Sequence, residues 1–238
     1  MKYKILLSNI AYFSGWNGSI REYIFKSYRH ILPSKKRIGQ IINEFKDIVA
    51  AEKPDLICLV EIRKKQIEML TDKEYKFYEV ETKYAPGGLA RKVPIIRKQG
   101  NGFISREKIN FKKFFIKSGV KRLVYILDLP GGIKLILFHF ALARNTRKKQ
   151  FKEIADIARG MKSLIICGDF NIFKGISEIE PLIKDLDLNL CQKEPTIPAF
   201  RPKMPFDLFL VSKNIKTESK VIQSQISDHL PVVLEIDI

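Results

Sequence analysis

Short, dense apolar runs punctuate the chain at Ile5–Leu7, Leu56–Val60, Leu123–Leu129, Lys134–Phe138, Leu164–Cys167, Leu208–Val211 and Val232–Ile236. Runs this brief and continuous predict strands buried on both faces. Between them, Ile38, Ile41, Ile42, Phe45, Ile48 and Val49 recur at helical spacing, an apolar stripe that Pro54 stops. A second stripe of Phe151, Ile154, Ala155 and Ala158 predicts a helix over Thr146–Met161, closing after Gly160. Pro130-Gly131-Gly132 sits between two apolar runs as a tight-turn signal, so some neighbouring strands form hairpins and the sheet is not purely parallel. Helices outside and hairpin-connected strands inside make a layered α/β sandwich the expected fold. Gly15–Pro33 and Tyr84–Lys98 read as long excursions, and loops of that length often carry function.

The length of 238 residues fits one domain spanning 1–238, and 45% hydrophobic with 29% charged residues is a globular balance. Charge changes the picture more. The 43 Lys+Arg against 26 Asp+Glu leave a net +17, a field that attracts polyanions and makes the backbone of DNA or RNA the expected partner. Cys58 and Cys167 lie inside apolar runs and Cys191 leaves the count odd, so reduced thiols are expected. The N-terminus turns polar at Ser8 and Asn9, and no stretch approaches the ~18 apolar residues of a membrane span. A cytoplasmic protein without stable membrane insertion is expected; protein partners are not indicated.

Polar residues that end buried strands need a reason, because a carboxylate or imidazole there is costly unless paired or metal-bound. Asn9 ends the first run, Glu61 follows Val60 and His139 follows Phe138. Gly168-Asp169-Phe170-Asn171 follows Leu164–Cys167, and Ser227-Asp228-His229 precedes the last run. Strand ends gathered at one edge would converge into an acidic, histidine-containing pocket. Such a pocket suits a hard cation, Mg²⁺ or Mn²⁺, and phosphoryl transfer to water.

The order Asn, Glu, His, Gly-Asp-x-Asn, Asp, Ser-Asp-His resembles the endonuclease/exonuclease/phosphatase superfamily from Lys4 to Ile236. The resemblance implies a four-layer αββα sandwich of mixed, mainly antiparallel sheets. It also implies a metal held by Glu61 with support from Asn9 and Asp228. Asp169 and Asn171 would orient the attacking water and hold a phosphate oxygen. His229 would serve as base or phosphate stabiliser, oriented by Asp207, and a cationic His139 would stabilise the leaving alkoxide. Gly100-Asn101-Gly102-Phe103-Ile104-Ser105-Arg106 resembles a site-lining strand of the family, with Asn101 as its candidate.

Asn9 is followed by Ile10 and Ala11 without the acidic residue usual in abasic-site endonucleases, and His139 replaces their tyrosine. The resemblance is therefore to the two-histidine deoxyribonuclease, phosphodiesterase and sphingomyelinase branches. Arg63-Lys64-Lys65, Arg91-Lys92, Arg97-Lys98 and Arg144-Asn145-Thr146-Arg147-Lys148-Lys149 are expected on the site side, with Arg63 and Arg144 as substrate contacts. Tyr12, Phe13 and Trp16, and Tyr23, Phe25 and Tyr28, offer base stacking, a membrane-interface wedge or plain packing. The expected activity is nuclease hydrolysis with little sequence preference. Its rivals are a phosphatase or phospholipase of the same fold and a non-catalytic nucleic-acid-binding module.

Overall fold

A computed structural model describes residues 1–16, 34–94 and 96–238. The described strands are β1 (Lys2–Asn9), β2 (Leu56–Ile62), β3 (Phe77–Thr82), β4 (Gly100–Ser105), β5 (Asn110–Phe115), β6 (Leu123–Asp128), β7 (Lys134–His139), β8 (Leu164–Asp169), β9 (Leu188–Leu190), β10 (Asp207–Ser212), β11 (Thr217–Val221) and β12 (Val232–Asp237). They form two six-stranded sheets, ordered β11-β12-β1-β2-β4-β3 and β5-β6-β7-β8-β10-β9. Within each sheet one central pair is parallel, β1 with β2 and β7 with β8, and the other described pairs are antiparallel.

Each central strand divides its side chains between two cores, which explains the continuous apolar runs. Ile5, Leu7, Cys58 and Val60 of the first sheet pack against Leu135, Leu137, Ile165, Cys167 and Phe209 of the second. The outer face of the first sheet, with Leu6, Ile57 and Leu59, is covered by Ile41, Ile42 and Phe45 of α1 (Lys35–Glu52) and Ile67 of α2 (Lys64–Leu70). Ile136, Phe138, Leu164 and Ile166 of the second sheet meet Phe151, Ile154, Ala155 and Ala158 of α3 (Arg144–Ala158) and Leu182 of α4 (Glu180–Asp185). The result is the expected αββα sandwich.

The Ser34 hydroxyl accepts the Arg37 N–H and starts α1, one of the four orphan donors of a helix N-terminus satisfied by a side chain. Pro130–Gly132 makes the tight turn between β6 and β7. Cys58, Cys167 and Cys191 are free thiols. Among the described residues no helix is long and apolar enough to cross a membrane. The excursion 84–98 carries a helical turn at Leu89–Lys92; of 15–33, residues 17–33 lie outside the described residues, and with them Tyr23, Phe25, Tyr28 and His30.

Candidate active site

The register of each sheet places a row of polar residues at the same end. In the second sheet Asp169 of β8 lies opposite His139 of β7 on one side and Asp207 of β10 on the other. Gly168 makes this tight crossing possible: a Cβ there would stand 1.7 Å from the Phe138 carbonyl oxygen, at φ +145. In the first sheet Asn9 pairs with Val60, and the bulge after Leu59 turns Glu61 into a left-handed conformation, φ 57. The Asn101 Oδ1 accepts the Glu61 N–H at 3.3 Å and so fixes that bulge. Positive φ at non-glycine residues costs on the order of 1–3 kcal/mol each, and Asn171 shares it at φ 50.

Asn9 joins the two rows. Its Nδ2 donates to Asp169 Oδ2 at 3.2 Å and lies 3.5 Å from His229 Nε2, while its Oδ1 accepts the Ala11 N–H at 3.1 Å. On the other edge of the His229 ring, Nδ1 donates to Asp207 Oδ2 at 2.7 Å, an oxygen that also accepts the Thr196 hydroxyl at 2.7 Å. Asp207 Oδ1 is buried without a hydrogen-bond partner among the described residues. Asn171 is held by its N–H on Asp169 Oδ1, 3.0 Å, and by its carboxamide on the Phe140 carbonyl, 2.9 Å.

Two residues that sequence reasoning passed over complete the centre. The loops after β3 and before β6 meet in an antiparallel bridge, Tyr84 with Lys121, with the Arg122 N–H on the Lys83 carbonyl at 2.8 Å. This bridge delivers two lysines. Lys83 donates to Glu61 Oε1 at 3.1 Å and to the Tyr12 hydroxyl at 2.5 Å, and Lys121 Nζ meets His139 Nε2. Tyr12 arrives through three successive left-handed residues, Ala11, Tyr12 and Phe13, at φ 41, 54 and 60.

Burial and neighbouring charge separate the titrations. Burial disfavours the Glu61 carboxylate, but Lys83 and Lys121 outweigh it and hold the group at about 2. Burial lifts Asp169 above the ordinary carboxylate range, with Asp207 and Glu61 adding to it against His229 and Lys121. His229 resists burial because Asp207, Asp228 and Asp169 surround it, and it rises to about 10. His139 is pushed the other way by burial and by Lys121, Lys83 and His229, well below the usual imidazole value. The two histidines therefore differ in charge at neutral pH. Burial and the nearby Lys121, Lys83 and His229 thus work against the cation expected on His139.

The other expected residues have the following surroundings. Asp228 Oδ1 accepts the Ser227 hydroxyl at 3.0 Å. Arg63 stacks over the Tyr12 ring, 5.0 Å to the centroid, and Arg144 Nε stands 3.6 Å from Glu178 Oε2. Arg147 is not a surface cation at all: it is buried, holds Glu178 Oε2 at 2.5 Å and donates to the Ala141 and Leu142 carbonyls. Tyr12 and Phe13 are also buried, so they do not stack on bases. Lys64, Lys65, Arg97, Lys98, Lys148 and Lys149 remain exposed.

As the side chains stand, no group of three His, Cys, Asp or Glu among the described residues encloses a cation. The donor types still fit a hard ion. Glu61 offers a carboxylate with a 19% exposed side chain, beside the carboxamide of Asn9 on the adjoining strand end. Mg²⁺ commonly needs only one or two carboxylates and completes its shell with water and phosphate.

Residues 32–229 match the family described as Endonuclease/Exonuclease/phosphatase. No curated protein matches the sequence. Among solved structures, an endonuclease/exonuclease/phosphatase from Beutenbergia cavernae is similar at TM-score 0.70 and 17% identity, covering 100% of this chain and 72% of its own. A beta toxin from Staphylococcus aureus is similar at 0.70 and 16%, covering 98% and 99%. The human Nocturnin catalytic domain, solved with a bound sulfate anion, is similar at 0.68 and 17%, covering 99% and 93%. At these identities the likeness is one of fold.

Proposed function

The chain belongs to the endonuclease/exonuclease/phosphatase family, whose members are generally phosphoesterase hydrolases, and from that premise we propose a divalent-metal-dependent phosphodiesterase that cuts nucleic-acid backbones with little sequence preference. The observation that carries the reading is the Asp207–His229 pair, 2.7 Å, joined through Asn9 to Asp169 in one buried cluster. Four polar side chains far apart in sequence do not converge in a buried corner unless something charged is to be held there.

The division of labour follows from the charges. His229 is cationic near neutral pH and donates to a phosphoryl oxygen; Asp207 and Asp228 keep it so. Asp169 has the raised affinity for a proton that suits a base, and it takes the proton of the attacking water. Asn171, anchored on Phe140, holds its backbone turn in place beside that base. Asn9 sets the distance between base and cation by touching both. A bound Mg²⁺ or Mn²⁺, held by Glu61 and Asn9, would neutralise charge on the phosphoryl oxygens. Exposed Lys64, Lys65, Arg97, Lys98, Lys148 and Lys149 supply sequence-independent contacts to a polyanion. Free, buried Cys58 and Cys167 suit a reducing, cytoplasmic setting.

One observation favours a second reading, an interfacial phospholipase. Leu142, Phe173 and Phe200 are more than half exposed, each close in sequence to a site residue or bonded beside one: His139, Asn171 and, through the Ala199 N–H, Asp228. The deciding experiment is cleavage of labelled single-stranded DNA, duplex DNA and RNA, and of phospholipid vesicles, by wild type and His229→Ala with Mg²⁺, Mn²⁺ or chelator. Metal-dependent nucleic-acid cutting lost in the variant is expected. Lipid turnover without nucleic-acid cutting would install the second reading, and inert protein that still binds DNA would make it a binding module.

A further inference from the structure

Two ammonium groups stand in the centre, and they are not equivalent. Lys83 is matched by Glu61 at 3.1 Å and capped by the Tyr12 hydroxyl. Lys121 has no carboxylate ion-paired to it among the described residues; its ammonium meets His139 Nε2. Asp169 Oδ2 lies 3.4 Å from the same His139 Nε2 and acts electrostatically on Lys121 without forming an ion pair with it among the described residues. Lys121 is also fixed in place: its carbonyl accepts Gln150 Nε2 at 2.8 Å and its backbone forms the bridge with Tyr84. A half-buried cation held rigidly with no ion pair of its own among the described residues is less fully compensated than Lys83, although Glu61 and Asp169 act on it electrostatically. The same arrangement is favourable once an anion enters, because the donor is already oriented and the surroundings are of low dielectric.

We infer that Lys121 is a catalytic residue whose ammonium donates to a non-bridging oxygen of the scissile phosphate. This rests on the reading of the centre as a phosphoesterase site, whichever ester it takes. A phosphate seated between Lys121 and His229 is flanked by a cation on either side, with Asp169 behind the attacking water and Lys83 balanced by Glu61. No bond is made or broken at Lys121; its charge offsets the negative charge that grows on the phosphoryl oxygens. His139 then serves as a positioning residue, its Nε2 lone pair accepting from Lys121 and aiming the ammonium.

The rival explanation is that Lys121 only props up His139, and the two differ in what happens to stability. Lys121→Met and Lys121→Arg are compared with wild type for kcat and KM on bis(4-nitrophenyl) phosphate and on the best natural substrate found, together with Tm. The expected result is a kcat lower by about 100-fold in Lys121→Met, the size of losing one preorganised donor, with partial recovery in Lys121→Arg. The Tm of Lys121→Met stays level or rises, since a half-buried charge without an ion pair of its own is gone. A kcat within threefold of wild type overturns the inference, and so does a parallel fall of kcat and Tm, which marks a prop. Should wild type hydrolyse no phosphate ester under any metal condition, the phosphoesterase reading itself falls, and the inference with it.

Discussion

Asp207→Asn isolates one charge at the heart of the site. The carboxylate is fully buried, accepts from His229 Nδ1 and from the Thr196 hydroxyl, both at 2.7 Å, and heads the carboxylates that hold His229 at about 10. Asparagine keeps the shape and can still accept from the imidazole, so what disappears is the charge. A hydrogen bond to a charged partner contributes about 1.5–3 kcal/mol against about 1 kcal/mol for a neutral one. Adding the lost Coulomb attraction, a close opposite charge shifts a titration by about 1–3 pH units. The midpoint of His229 should therefore fall from about 10 into the range of roughly 7–9. If the cationic ring stabilises the transition state, kcat near pH 10 should drop by roughly 5- to 500-fold, since about half of the rings are protonated there in the wild type and roughly 0.1–9% in the variant. The sign extends to folding. A histidine raised from 6.5 to about 10 contributes stability that is fully present below 6.5 and is lost as pH climbs through about 10, so the alkaline edge of stability should move down in the variant. Side-chain nitrogen NMR of His229 across pH 6–11, beside kcat and thermal unfolding, measures all three. A His229 midpoint unchanged within half a unit would refute the reasoning, as would a kcat within threefold of wild type.

Other expectations follow from single features. Arg147→Met removes the nearer of two arginines from Glu178, which it meets at 2.5 Å, leaving Arg144 at 3.6 Å, and should cost up to about 3–5 kcal/mol, read as a Tm drop that Arg147→Met with Glu178→Leu largely reverses. Gly168→Ala forces a Cβ to within 1.7 Å of the Phe138 carbonyl oxygen and should split β7 from β8; a soluble, active Gly168→Ala protein would contradict the crossing described. Because burial raises Asp169, the acid limb of kcat against pH should lie above the ordinary carboxylate value of 3.8, and a limb at or below that value would remove Asp169 as base. Replacing exposed Lys148 and Lys149 with glutamine should reduce the salt slope of nucleic-acid affinity by about one to two while leaving kcat unchanged, and an unaltered slope would place the substrate path elsewhere.

The fold was legible where strands are buried twice over. Leu135, Leu137, Ile136 and Phe138 alternate between two cores, and that double demand writes a continuous apolar run into the sequence. Edge strands carry no such demand. Asn110–Phe115 is half polar, Thr217–Val221 is mostly polar and both are partly exposed, so β5 and β11 look like loop until they pair with β6 and β12. The site followed the same logic: Asn9, His139, Asp169 and Asp207 each sit at one end of a readable run, and parallel or antiparallel register brings those ends to one edge.

What the sequence concealed was the fate of its cations. Arg147 stands in a run of basic residues that reads as a solvated face, yet a helical turn buries it against Glu178. Lys83 follows a strand whose other residues are partly exposed and Lys121 precedes one after an exposed turn, and only the Tyr84–Lys121 bridge turns both inward. In a chain with 43 Lys and Arg, a lysine inside the polar cluster has no local mark that separates it from one outside. The distinction is made by partners. Lys83 is ion-paired to Glu61, whereas Lys121 meets the His139 ring and has Glu61 and Asp169 acting on it without an ion pair among the described residues.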